Sequence, residues 1–276
     1  MLPHQAICDR TNKEGEIENG RNSSKQTVPD GQIVIEDRAL YNGHFQLQRP
    51  RKSSMRNSSE VVKEIREELK NIDDQIRNHV LLNRLREKKV DLNALKAFPG
   101  HQYHIINSDL RSVAMMVHRF GKPSEQSFFK QVLEGETEAL SSILVLAKKF
   151  GMTEEDLQRH PLVPEGFAYA TYMCWLSTYA SAAEIVAGFL VNFAAWGDNC
   201  GQMSQSLKDH YGFNQADTVF LDAFANMPSF ETIALQIIQD GLNEGIDPAR
   251  VHRVAYLFQG YERMFWDTMA KVAHVV

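Results

Sequence analysis

Cysteine is scarce in this chain of 276 residues: Cys8, Cys174 and Cys200 are the only three, and no two form a CxxC pair. An odd, widely spaced set excludes a disulfide framework and points to a reducing cytoplasm. A basic surplus is missing as well. Thirty Lys and Arg face 35 Asp and Glu, for a net charge of −5, so a nucleic-acid partner is not expected. Long hydrophobic runs are absent too. The longest apolar stretch, Ala180 to Trp196, carries Glu184 and Asn192 and reads as a buried core helix, not a membrane span. The opening residues show no charged, apolar, small-residue targeting pattern. Walker loops, GxGxxG, HExxH and GxSxG motifs are not found, which removes most of the case for nucleotide binding, zinc proteolysis and elbow-type hydrolysis.

What is present falls into two parts. Residues 1–58 are rich in Asn, Ser, Gly, Lys and Glu and lack apolar periodicity apart from Gln32-Ile33-Val34-Ile35. Such a composition cannot bury enough apolar surface to offset ordering entropy, so a disordered extension is expected. It closes on the basic cluster Arg49-Pro50-Arg51-Lys52, and Met55 is a plausible alternative start because helical patterning begins just after it. From residue 59 to 276 the pattern is helical throughout. Ser58 or Ser59 is a ready N-cap, followed by the stripe Ile65, Leu69, Ile72, Ile76 and Val80. Further helices are expected over about 91–120, 124–150, 182–210, up to 226, 228–242 and from 248 onward. A short turn follows Thr153, and a Tyr169–Tyr179 segment comes before the longest helix. No strand alternation appears. The expected fold is all-α, a single bundle of about seven or eight helices.

The last helix holds the most informative pattern. Ala255, Phe258, Glu262, Phe265 and Trp266 recur at three- and four-residue steps, which places one carboxylate inside an apolar stripe. A carboxylate among aromatic groups resists ionisation, and such groups are candidates for acid/base chemistry; a structural ion pair or hydrogen bond is the alternative. His101 and His104, three apart on the second helix, have a workable metal-ligand spacing, and also suit ordinary hydrogen-bonded positions. Asp109 falls between Ile105, Val113 and Met116 on what should be a core face, so it is either a pocket residue or one half of a buried ion pair reached by Arg111 or Arg119. Asn192 sits inside Gly188-Phe189-Leu190-Val191-Asn192-Phe193 and must be hydrogen-bonded there. Tyr169 and Tyr172 are suited to stacking a flat ligand.

These segments together resemble the TenA/PqqC family, whose fold is similar to haem oxygenase. The resemblance covers about residues 59–276. It rests on Tyr261-Glu262-Arg263-Met264-Phe265-Trp266-Asp267, on Ala168-Tyr169-Ala170-Thr171-Tyr172 and on the Gln102-Tyr103-His104 helix. It implies a helical bundle enclosing a small-molecule pocket, assembled as a homodimer or homotetramer. Members that hydrolyse aminopyrimidines of thiamin salvage use a cysteine nucleophile and a glutamate on the last helix, with an aspartate and tyrosines around the ring. Glu262 matches the glutamate and Tyr169 one tyrosine. The cysteine position falls on Asn192, the aspartate position on His101, a tyrosine position on His104, and Phe224 replaces another tyrosine. An amide cannot act as a thiolate nucleophile. The di-iron branch of the superfamily needs carboxylate and imidazole ligands. Its positions fall on His101, His104, Asn192, Phe224, Pro228 and Glu231, which leaves at most a mononuclear iron site from His101, His104 and a carboxylate, Glu262 or Glu231. Cofactor-free oxidation of a polycarboxylate quinone precursor would need inward basic residues, and no such cluster is seen.

The expected function is therefore a TenA-like pocket that binds or processes a small heterocycle of the thiamin-pyrimidine type, without a cofactor. Glu262 and His101 are the acid/base candidates, with Tyr169, Asn192, Asp109, His104, Phe224 and Trp266 around the ligand. An iron-dependent oxidase and a catalytically inactive binding or regulatory protein are the alternatives, separable by whether metal, turnover or only ligand binding is found. The expected partner is a small molecule, with no nucleic acid and no membrane.

Overall fold

Six of the eleven described helices begin at a side chain that accepts from one of their free N–H groups. The structure, a computed structural model, describes residues 56–275. The expectations for residues 1–55, including the start at Met55, lie outside the described residues. Helix α1 (Ser58–Arg77) is capped by the Asn57 side chain, which accepts from the Ser59 N–H. The cap is thus one residue earlier than Ser58. Val80 does not continue the α1 stripe but opens α2 (Val80–Arg86), whose first turn is capped by the His79 ring. The helix expected from residue 91 to 120 divides at Lys96 into α3 (Leu92–Leu95) and α4 (Ala97–Arg119). Pro123 at the first turn starts α5 (Pro123–Lys149). Gly151 follows it at φ 72°, in the left-handed region glycine enters without a Cβ penalty.

Thr153 and Asp156 form a reciprocal capping box on α6 (Glu154–Gln158). Pro164 opens α7 (Pro164–Tyr179), so that helix starts five residues ahead of Tyr169. In α8 (Ala182–His210), Ser181 and Glu184 cap each other. Arg250 grips the same buried Glu184 with two bonds of 3.0 Å, which explains one of the two polar residues in the longest apolar run. Then come α9 (Val219–Ala225), α10 (Glu231–Asn243) and α11 (Pro248–Val272), the last capped by Asp247. Pro228 precedes α10 and does not open it.

Among the described residues the helices of 13 residues or more number seven, α1, α4, α5, α7, α8, α10 and α11, and no strand occurs. No described helix is long and apolar enough to cross a membrane. Helix α8 is the axis of the bundle. Its first ten residues, Ala182 to Val191, are all buried, as expected of a helix apolar on every side. It packs against α9, α10 and α11, while α4 packs against α5 and α7, and α11 also meets α7 and α1. Gly188 allows the α8–α11 approach: a Cβ there would stand 2.9 Å from Phe258.

A candidate acid/base cavity in the bundle

Six helices send side chains into one cavity. Gln102, Ile105, Ile106 and Asp109 come from α4, Glu136 from α5 and Tyr169 from α7; α8 gives Asn192, Phe193 and Trp196, α9 gives Phe224, and α11 gives Glu262 and Phe265. The spacings 102–105–109, 192–196 and 262–265 are helical steps, which is why α4, α8 and α11 can each present two or more residues to one point. The cavity holds about 40 Å³ of room for water centres, enough for roughly three waters. A ring-sized ligand therefore requires side chains such as Phe193 or Phe224 to shift. The walls are aromatic and aliphatic, and the polar groups are two amides, one phenol and three carboxyl groups.

Glu262 is 4% exposed. Its Oε1 accepts from the Trp266 indole N–H at 2.7 Å and its Oε2 from Asn192 Nδ2 at 3.3 Å. Burial pushes its pKa up and the two donors pull it down; burial prevails and the carboxyl sits at about 7. Trp266 is fully buried and held by Phe98, Trp196 and Phe265 rings at 6.0, 5.6 and 5.5 Å. It stands behind Glu262, outside the cavity lining, and orients the carboxyl. Asn192 Nδ2 also donates to Gln259 Oε1 at 3.2 Å, and Gln259 Nε2 donates to Asp73 Oδ1 at 3.0 Å. Asp73 in turn accepts from Arg77 Nε at 2.6 Å. A polar chain thus runs from the cavity to the partly exposed end of α1, and it fixes which face of the Asn192 amide meets Glu262.

Asp109 is 4% exposed, and its Oδ1 has no hydrogen-bond partner. Neither arginine on its helix reaches it: Arg111 donates to Asn107 O, and Arg119 to the carbonyls of Leu176, Ser177 and Ala180. The ion pair considered from sequence does not form, and the pocket position does. Burial, then the nearby Glu136, raises the Asp109 carboxyl well above its ordinary range, and burial raises Glu136 to about 7. Tyr169 lines the cavity edge-on to Phe258, with ring centroids 5.1 Å apart. Its phenol is pushed far up by burial and then by Asp109, Glu262 and Glu136.

The histidines lie elsewhere. His101 is buried, but its Nδ1–H donates to Ala97 O at 2.9 Å and its Nε2 accepts from the Val163 N–H at 3.0 Å. With both nitrogens committed to backbone, it ties α4 to the start of α7 and has no free atom for a ligand proton. His104 donates through Nε2 to Leu157 O at 2.9 Å and faces the opposite side of α4 from the cavity. The fit to iron fails on the same ground. Both His101 nitrogens and Nε2 of His104 are engaged, Glu262 is turned to Trp266 and Asn192, and no three His, Cys, Asp or Glu side chains among the described residues converge as a metal cage. Cys200 is buried and Cys174 exposed, and neither lines the cavity; Cys8 lies outside the described residues.

Sequence reasoning missed Gln102, Glu136, Phe193 and Trp196 as lining residues. Gln102 is one residue from His101 and occupies the cavity-facing position that His101 was expected to hold. Glu136 sits in Glu134-Gly135-Glu136-Thr137-Glu138, which reads as a solvated face, and no local signal separates it from its neighbours.

This all-α bundle, with a small carboxyl-bearing cavity between its helices, is similar in fold to a solved domain with a heme oxygenase-like fold. A sequence model of the TENA/THI-4/PQQC family matches residues 66–271, more than half of the chain, and the chain belongs to that family. Among solved structures, a TenA homologue from P. horikoshii OT3 is similar at TM-score 0.64 and 14% identity, covering 77% of this chain and 99% of that one. A TenA homolog from Pseudomonas syringae pv. tomato str. DC3000 gives 0.65 and 16%, covering 80% and 98%. A domain of unknown function with a heme oxygenase-like fold from Shewanella denitrificans OS217 gives 0.59 and 12%, covering 79% and 94%. At these identities the likeness is one of fold. A comparison with curated protein sequences finds no match.

Proposed function

We propose that the cavity binds a small heterocycle of the thiamin-pyrimidine type and that Glu262 moves a proton on it, without a covalent intermediate and without a resident metal. The observation that carries this reading is the buried Glu262 carboxyl, held by Trp266 and Asn192 and poised at about 7. A group half-protonated near neutral pH serves as acid or base with comparable ease. Tyr169 and the aromatic walls Phe193, Trp196 and Phe224 offer faces for a flat ring, and Gln102 and Asn192 offer amide groups for its nitrogens. Asn192 stands where the hydrolytic relatives are expected to carry their nucleophile, so water, not a side chain, would be the attacking group. The setting proposed is a cytoplasmic homodimer or homotetramer.

A panel of aminopyrimidines assayed with the wild type and Glu262→Gln tests the reading. Turnover that is insensitive to chelators and lost in the variant supports it; turnover retained in the variant overturns it. A second reading, a ligand-binding or regulatory protein without turnover, draws on the lack of any cysteine along the cavity among the described residues. Ligand-induced melting shifts with no product in the same panel would favour it.

A further inference from the structure

Asp109 and Glu136 line the cavity but are not used by a mechanism centred on Glu262. Asp109 from α4 and Glu136 from α5 both line it, beside Tyr169 from α7 and Glu262 from α11, while α8 and α9 contribute only Asn192, Phe193, Trp196 and Phe224. Among the described residues the lining therefore holds three carboxyl groups and no Lys, Arg or His. Asp109 Oδ1 is a buried acceptor with no donor, although Arg111 and Arg119 on the same helix are bound to backbone carbonyls instead. Buried polar atoms are almost always paired, and an orphan at a cavity wall marks a place where a bound group completes the set. Carboxyl groups with no basic side chain beside them are matched by a cation that carries its own N–H donors.

We infer that Asp109 and Glu136 form a subsite for a protonated amidine or amine group of the ligand, separate from the Glu262 centre. The inference rests on the small-molecule reading of this cavity and adds the charge of the ligand to it. A planar amidinium presents parallel N–H groups that two carboxylates can accept together. Burial raises both carboxyls above their ordinary range, Glu136 to about 7. A cation entering the subsite displaces a proton to solvent, so its affinity rises with pH, by up to about tenfold per unit for each proton released.

Acetamidine and its neutral analogue acetamide are the test pair, being small enough for the existing space. Dissociation constants are measured by ligand-observed NMR titration of the full chain at pH 6 and pH 8, with EDTA present so that a divalent cation is not the occupant. The expected result is acetamidine at least tenfold tighter than acetamide at pH 8, a preference that shrinks at pH 6. Asp109→Asn combined with Glu136→Gln should abolish the preference, and Glu262→Gln should keep it. Equal affinities at pH 8, a pH-independent preference, or survival of the preference in the double variant would overturn the subsite. Loss in Glu262→Gln as well would overturn its separateness from the Glu262 centre. Should the double variant fail to fold by circular dichroism, the single variants Asp109→Asn and Glu136→Gln take its place, each expected to reduce the preference, and a preference unchanged in both would overturn the subsite. Failure of aminopyrimidine turnover would leave these outcomes readable, since none of them depends on chemistry.

Discussion

Glu262 and Trp266 lie one turn apart on α11, and the indole N–H of the second donates to the carboxyl of the first at 2.7 Å. The i,i+4 step that places them on one face also makes the donor rigid, because the Trp266 ring is clamped among Phe98, Trp196 and Phe265. A fixed donor on a buried acid opposes, without cancelling, the rise that burial imposes.

The raised carboxyl has a stability consequence with a definite sign. Glu262 binds its proton more tightly folded, at about 7, than at its ordinary 4.5. Its contribution is then fully present below pH 4.5 and is lost as pH rises through 7, by roughly 3 kcal/mol at most. Denaturant unfolding of wild type and Glu262→Gln at pH 4.5 and pH 8 should show the variant gaining on the wild type as pH rises. A constant difference would contradict the assignment.

Asn192→Ala removes one donor to Glu262 and leaves Gln259 Oε1 without its partner. The expected cost is roughly 1–3 kcal/mol, together with a further rise of the Glu262 pKa, because that bond lowers it. A pH profile of turnover should move to higher pH in the variant, whereas a purely structural loss would lower stability and leave the profile in place.

His101→Ala should behave as a packing variant. It deletes the acceptor of the Val163 N–H and the donor to Ala97 O, at a cost of roughly 2–3 kcal/mol. Gly166→Ala should act through the same contact, since a Cβ there would lie 2.8 Å from the His101 ring. Melting temperatures should fall for both, while the turnover of folded protein stays close to wild type. Selective loss of turnover in a stable His101→Ala protein would return that residue to the chemistry.

Much of the fold was legible because helix starts and stops are local. Pro123, Pro248, the Thr153 box and Gly151 act within a turn of where they sit, whereas Pro164, which opens α7, reads from sequence only as a break before Tyr169. The errors are also local: Asn57 captures the cap that Ser58 was expected to supply, and α10 starts after Pro228, not at it. The site was only partly legible. Glu262, Asp109 and Asn192 stood out because a polar residue on an apolar stripe contradicts its helix face. Glu136 did not, because its neighbours on α5 are polar. Only the approach of α4 and α5 turns it inward beside Asp109. His101 looked chemical by type, and its role was settled by backbone groups at Ala97 and Val163 that no spacing rule reveals.

The most direct test of the central claim is the titration of Glu262 itself, followed by carbon NMR of glutamate side chains labelled at the carboxyl, with Glu262→Gln and Glu136→Gln spectra to assign the signals. The account predicts a resonance with a midpoint near 7 that vanishes in Glu262→Gln and persists in Glu136→Gln. A Glu262 signal titrating at or below the ordinary 4.5 would show a carboxylate permanently ionised at neutral pH, and would contradict its role as the group that gives and takes the proton.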